Sequence, residues 1–161
     1  MRYIDLLEDK LTELENYFTK RDVLVEQISK VSVGWHVDHS FKVFEKVSDI
    51  LINSDTTEYK WQFNFWRTYC FLLNRFPRGK AKAPKAVRPK EEITLESLQN
   101  QLQEVDNRVK KLSSLTVNAN FKHPIFGYLN KNQALKFLNL HTEHHLKIIR
   151  DILEENQKSL N

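Results

Sequence analysis

The sequence predicts an all-α fold: a four-helix bundle with one additional or broken helical element, and a long basic loop between the third and fourth helical segments. The 161 residues include only 3 glycines and 4 prolines. This is about a third of the number that average usage would give, and it argues against a many-turned β-sandwich. Apolar residues recur at spacings of three and four through five segments of about 15 to 27 residues. We therefore expect residues 1–161 to form one helical domain.

The first two helices follow from stripes of apolar residues. The first stripe, over roughly residues 2–18, consists of Ile4, Leu7, Leu11, Leu14 and Phe18. The second helix begins after Ser32, whose hydroxyl can cap it, and ends before the polar segment NSDTTE. Its inward face is predicted to contain Trp35, His39, Val43, Val47 and Ile50. A histidine, His39, thus lies on an apolar face.

The third segment begins ambiguously, because Trp61, Phe63 and Phe65 alternate with polar residues as a strand would. The residues that follow favour a helix, with Asp55 and Glu58 as its capping box. Helical spacing is kept over about four turns. The residues that keep it are Trp61, Phe65, Tyr69, Leu72 and Phe76.

The last two helices have the clearest signals. In the fourth, acidic residues lie near the start and Lys110 and Lys111 at the end, as the helix dipole favours. Its stripe is Leu95, Leu98, Leu102, Val105, Val109 and Leu112. The fifth helix can be capped by Asn130 together with Gln133. Its inward stripe is Leu138, His141, His145, Ile148 and Ile152, so that histidines again interrupt an apolar face.

The basic character of the chain is confined to one segment. Residues 75–90 hold seven Lys and Arg and no acid, which leaves 18 basic against 21 acidic residues elsewhere. Three of the four prolines lie in the same segment, so it is predicted to be an extended loop between helices. The high isoelectric point therefore does not by itself indicate nucleic-acid binding.

Several functional classes receive no support. The longest apolar run, from Tyr69 to Leu73, is far too short to span a bilayer. The first residues lack the pattern of a signal peptide, so a cytoplasmic location is expected. The single cysteine, Cys70, lies in an apolar run and is predicted to be a buried thiol. Motifs for serine nucleophiles and for phosphate-binding loops are missing from the sequence.

The histidines form the most informative pattern. Two of the six histidines, His36 and His39, lie in the segment GWHVDHS. Three more, His141, His144 and His145, lie in LHTEHHL, and the sixth, His123, lies outside both segments. Residues four apart on a helix share a face, so His141 and His145 can present two imidazoles to one metal ion. His39 lies on the apolar face of another helix and is the best candidate for a third ligand. Three nitrogen ligands leave a coordination position of the metal open, as in catalytic sites.

Alternatives remain for each histidine. The three inward histidines can instead be core residues that bond a backbone carbonyl or a carboxylate. His36 and His144 lie off the main stripes and are expected either to contact the metal-binding residues or to be solvated. An acid can also orient a metal-binding imidazole, and Asp38 and Glu143 are adjacent to the candidate ligands; both can equally be surface acids.

The segments SVGWHVDH and HPIFGYLNKNQALKFLNLHTEHHLKII resemble the DinB/YfiT-like superfamily of metal-binding helical bundles, over most of the chain. Together with the PRGKAKAP loop, the later segment is similar to a bacterial subfamily of it. The resemblance implies that His39, His141 and His145 bind a divalent metal, commonly zinc or nickel, with His36 as a competitor for the role of His39.

The resemblance implies an enzyme without identifying its reaction. Characterised relatives include thiol transferases and an isomerase that use low-molecular-weight thiols such as bacillithiol, mycothiol or glutathione. A three-histidine metal can activate either a thiol, for S-transfer, or water, for hydrolysis. Arg78, Lys80 and Lys82 of the loop are candidates for attracting a carboxylate-bearing thiol or substrate.

A different class of function is also open. In it, the basic loop 75–90 binds nucleic acid or an acidic partner, and the histidines are structural. The loop offers only Phe76 for stacking on a base, and no nucleic-acid motif accompanies it. We therefore expect a small-molecule substrate rather than nucleic acid, and no membrane association; a homodimer is left open.

Overall fold

The computed structural model describes residues 2–78, 85–89 and 92–160. Within them the chain is mostly helical, with five α-helices and one small two-stranded sheet. The helices are α1 (Arg2–Glu15), α2 (Val33–Ile52), α3 (Phe65–Leu72), α4 (Leu95–Ser114) and α5 (Lys131–Lys158). Short 3₁₀ helices cover Phe18–Lys20 and Lys85–Val87. None of the described helices is both long and apolar enough to cross a membrane.

The four longer helices contact one another through their predicted apolar stripes. Helix α2 packs against α4 and α5, and α1 packs against α5 and α4. Leu7, Leu98 and Ile152 are among the fully buried side chains that join them. At the helix ends Ile50 and Leu95 are partly exposed, so the predicted stripes extend slightly too far.

Local capping explains where α2 and α5 begin. The Ser32 hydroxyl accepts a hydrogen bond from the Trp35 amide at 3.4 Å, as predicted. Asn130 and Gln133 form a reciprocal capping box at the start of α5. Both caps lie on the N-terminal side of the histidine-bearing turns and define where these two helices begin.

The predicted start and length of the third helix are wrong. Helix α3 has only eight residues, and Asn64 caps it by accepting a hydrogen bond from the Arg67 amide at 2.8 Å. The Asp55 carboxylate instead accepts hydrogen bonds from the amide and hydroxyl of Thr57. Four of the five residues that keep the helical spacing, Trp61, Phe65, Tyr69 and Leu72, are exposed, whereas Cys70 is buried as expected.

A β-hairpin that the residue pattern did not predict lies between α4 and α5. Strand β1 (Asn120–His123) pairs antiparallel with β2 (Gly127–Asn130). Gly127 has φ +68°, a conformation that residues with a Cβ rarely adopt, and it closes the turn. The hairpin leads directly into the capping residue of α5.

Candidate metal centre

Helix α2 places an aromatic pair next to α5. His39 lies two turns from the start of α2, and only 3% of its surface is exposed. The Trp35 ring, one turn earlier, stacks on the His39 ring with centroids 4.8 Å apart and planes inclined by 20°. This stacking limits how far the imidazole can rotate.

The three inward histidines form one cluster. The ring centroid of His39 lies 5.2 Å from that of His141 and 4.9 Å from that of His145. The two histidines of α5 are 4.6 Å apart by the same measure. One ring nitrogen from each of the three lies within 4.8 Å of the other two. His39 and His145 are buried, whereas His141 is partly exposed and forms the accessible side.

The cluster has the chemistry of a metal site. Bonds of about 2.0–2.1 Å to a tetrahedral zinc would hold two nitrogens about 3.4 Å apart, so small rotations of the imidazoles would bring the donors into range. Three imidazoles suit zinc, nickel and similar ions. Among the described residues this is the one group of three or more His, Cys, Asp or Glu with such proximity, and it leaves at least one coordination position free.

A backbone carbonyl sets the tautomer of His39. Its Nδ1 lies 2.7 Å from the carbonyl oxygen of Val87, in the 3₁₀ helix Lys85–Val87. A carbonyl oxygen only accepts hydrogen bonds, so in the neutral imidazole Nδ1 carries the proton. The lone pair is therefore on Nε2, which is available as a ligand.

A hydrogen-bonded chain sets the tautomer of His145 in the same way. The Ser29 hydroxyl donates to the Val31 carbonyl at 2.9 Å, and its oxygen lies 2.9 Å from Nε2 of His36. Nε2 of His36 then donates to Ser29, so Nδ1 of His36 accepts. That Nδ1 lies 2.9 Å from Nδ1 of His145, which donates and keeps its own lone pair on Nε2.

Burial keeps the imidazoles neutral. It is the largest cause of the lowered pKa of His39, His141 and His145, and for the two histidines of α5 the neighbouring imidazoles lower the pKa further. Burial also lowers the pKa of His36 to about 3. Neutral imidazole is the form that coordinates metal ions.

The acidic neighbours do not orient the histidines. Asp38 is buried and pairs with Lys42 at 2.7 Å and with the Gln101 amide at 2.9 Å. Glu143 pairs with Arg150 at 3.0 Å. The Val87 carbonyl takes the role considered for these acids. No residue type marks this contact in the sequence, because every residue carries a carbonyl group.

The remaining predicted site residues lie around the cluster or outside the described residues. The His144 ring is 5.3 Å from the His145 ring and 6.3 Å from that of Phe76. The Arg78 guanidinium pairs with Asp151 of α5 at 2.6 Å. A cavity of about 310 Å³ lies beside it and is lined by Tyr69, Arg75, Phe76, Pro77 and Arg78. Lys80 and Lys82 lie outside the described residues.

The family model of the DinB superfamily matches residues 9–149. The chain belongs to the DinB superfamily. This confirms the resemblance stated from the sequence, and the matched range contains all three clustered histidines. No curated protein and no solved structure matches the chain significantly.

Proposed function

We propose that this DinB-superfamily chain, as a single domain with the four longer helices as a bundle, is a divalent-metal-dependent enzyme. Its ligands are His39, His141 and His145, and zinc or nickel is the preferred ion. The observation that carries the proposal is the convergence of three neutral imidazole nitrogens within 4.8 Å. When bound there, the ion favours the thiolate form of a thiol or lowers the pKa of a water molecule.

The residues around the cluster hold the metal-binding imidazoles in position. The Val87 carbonyl and His36 fix two imidazoles through their Nδ1 protons, and Trp35 restricts the rotation of His39. Partial exposure of His141 gives a small molecule an approach to the site. The reaction classes that fit are S-transfer from a low-molecular-weight thiol to an electrophile and hydrolysis.

The cavity beside Arg78 favours the binding of an anionic substrate. Phe76 lines it and also contacts His144, the residue preceding His145. We propose that Arg78 attracts a carboxylate of the thiol or of its partner, with Lys80 and Lys82 as further cations. Replacing Arg78 by alanine is expected to raise KM for an anionic substrate while leaving metal content unchanged.

A thiol-transfer assay tests the proposal. Protein without a histidine tag is loaded with zinc or nickel and mixed with an alkylating electrophile and one thiol. Bacillithiol, mycothiol and glutathione are tested in separate reactions. A panel of esters tests for hydrolysis. We expect turnover that is lost on chelation and in His141→Ala but retained in His144→Ala, a matched histidine on the same helix. Equal rates with loaded, chelated and His141→Ala protein in every assay would refute the enzymatic proposal.

A further inference from the structure

Beyond the metal site, the described surface carries an aromatic patch that has no role in the proposed chemistry, apart from Tyr69 in the lining of the cavity beside Arg78. It consists of Trp61, Phe63, Phe65, Trp66 and Tyr69, flanked by Leu72, Leu73 and Ile125. The five aromatic residues are between 44% and 67% exposed, and Leu72 is 80% exposed. Exposed aromatic residues in such a group mark interaction surfaces, whereas single exposed apolar residues are ordinary.

The opposite face of α3 holds the patch in place. The Arg67 guanidinium donates to the carbonyls of Phe126 and Tyr128 in the hairpin, at 3.3 and 3.0 Å, and to that of Gln62. The Phe71 ring packs against the Phe126 ring with centroids 6.1 Å apart. Because these contacts tie α3 to the hairpin, its aromatic face cannot turn inward without breaking them.

The patch is continuous along α3. The rings of Phe65, Trp66 and Tyr69 contact one another with centroids 5.8 to 6.3 Å apart. Leu72 and Leu73 follow Tyr69 by three and four residues, so they extend the same helical face. The Ile125 carbonyl accepts a hydrogen bond from the Asn64 side chain at 2.9 Å, which places Ile125 beside the start of the helix.

The area of the patch matches one half of a dimer interface. At roughly 200 Å² per aromatic side chain, the exposed fractions of the five aromatic residues amount to about 600 Å². The three aliphatic residues, at about 100 Å² per side chain, bring the apolar area close to the roughly 800 Å² that each partner buries in a standard interface.

The charge distribution favours a second copy of the same chain. Between residues 61 and 73 the only charged residue is Arg67, and it is 4% exposed. The whole chain carries a formal charge of +4, so two copies meeting through this neutral surface avoid placing like charges opposite each other. The basic residues of segment 75–90 follow α3 in the sequence and do not lie on its exposed face, where a helix bound to an anionic membrane carries Lys and Arg.

We propose that the aromatic patch is the interface of a homodimer with two-fold symmetry. The same patch then faces itself, so each substitution acts twice in the complex. Sedimentation equilibrium over a range of protein concentrations tests this. We expect wild-type protein to be dimeric at micromolar concentration, and Trp66→Glu to raise the dimer Kd at least about 100-fold. Leu160→Glu, which changes a residue that is 78% exposed outside the patch, should leave it unchanged.

Further measurements separate loss of association from loss of folding. Circular dichroism and metal content of Trp66→Glu should equal those of the wild type, and Phe65→Glu should give the same monomer. In wild-type protein, acrylamide quenching of Trp61 and Trp66 fluorescence should weaken as the concentration rises through the Kd. A wild type that stays monomeric at all concentrations, or a dimer unaffected by both variants, would overturn the proposal. Monomeric protein that binds vesicles with anionic lipids through these residues would assign the patch to a membrane instead.

Discussion

Replacing His36 by alanine isolates the contribution of the hydrogen-bonded chain behind His145. The variant removes the acceptor of the His145 Nδ1 proton, 2.9 Å away, without removing a proposed ligand. His145 is only 7% exposed, so solvent replaces the lost acceptor poorly. Loss of such an orienting partner typically weakens metal binding about 10- to 100-fold, equivalent to about 1.4 to 2.7 kcal/mol.

The assay is competition for zinc against a chromogenic chelator, using protein without a histidine tag. His36→Asn, whose side-chain oxygen can accept the same proton, should restore part of the affinity. His39→Ala removes a ligand and should weaken binding more than His36→Ala does. If His36→Ala lost the metal while His39→Ala kept it, the ligand assignment on α2 would be wrong. Unchanged affinity in His36→Ala would refute the orienting role.

Three further predictions concern other parts of the chain. Gly34→Ala should lower Tm, because its new Cβ would lie 2.8 Å from Cβ of Arg21, and overpacking of this kind costs about 1–3 kcal/mol; an unchanged melting curve would contradict it. Arg150 donates two hydrogen bonds to Glu13 and thereby lowers its pKa, so this pair stabilises the fold above the pKa of an unfolded glutamate. Glu13→Gln should therefore lower Tm at neutral pH, with the difference from wild type shrinking in acid below about pH 4; a difference independent of pH would count against the ion pair. Neutralising the basic residues of loop 75–90 should leave metal content unchanged, whereas salt-sensitive DNA or RNA binding by the wild type, lost in this variant, would favour the nucleic-acid alternative.

The sequence was sufficient where local chemistry decides the structure. Ser32 and Asn130 cap their helices as predicted because a cap depends on a few adjacent residues. The four-residue spacing of His141 and His145 then places both imidazoles on one face of α5. The juxtaposition with His39 depends on packing between α2 and α5. Its place on an apolar face made His39 a candidate, and the family resemblance implied the same ligand.

Tertiary contacts explain where sequence reasoning failed. The segment around α3 has helical spacing, yet Arg67 bonds to the hairpin and so faces inward in place of the aromatic residues. The hairpin itself has strands of only four residues, and Gly127 was its clearest local signal. His36 is only 4% exposed, which is inconsistent with the solvated role considered for it.

Metal content per chain tests the central claim most directly. Protein without a histidine tag is incubated with zinc or nickel, freed of unbound ions and analysed by inductively coupled plasma mass spectrometry. The three-histidine cluster predicts about one ion per wild-type and per His144→Ala chain, and far less in His141→Ala and His145→Ala. Full occupancy in both of these latter variants, or no bound ion in the wild type, would contradict the account.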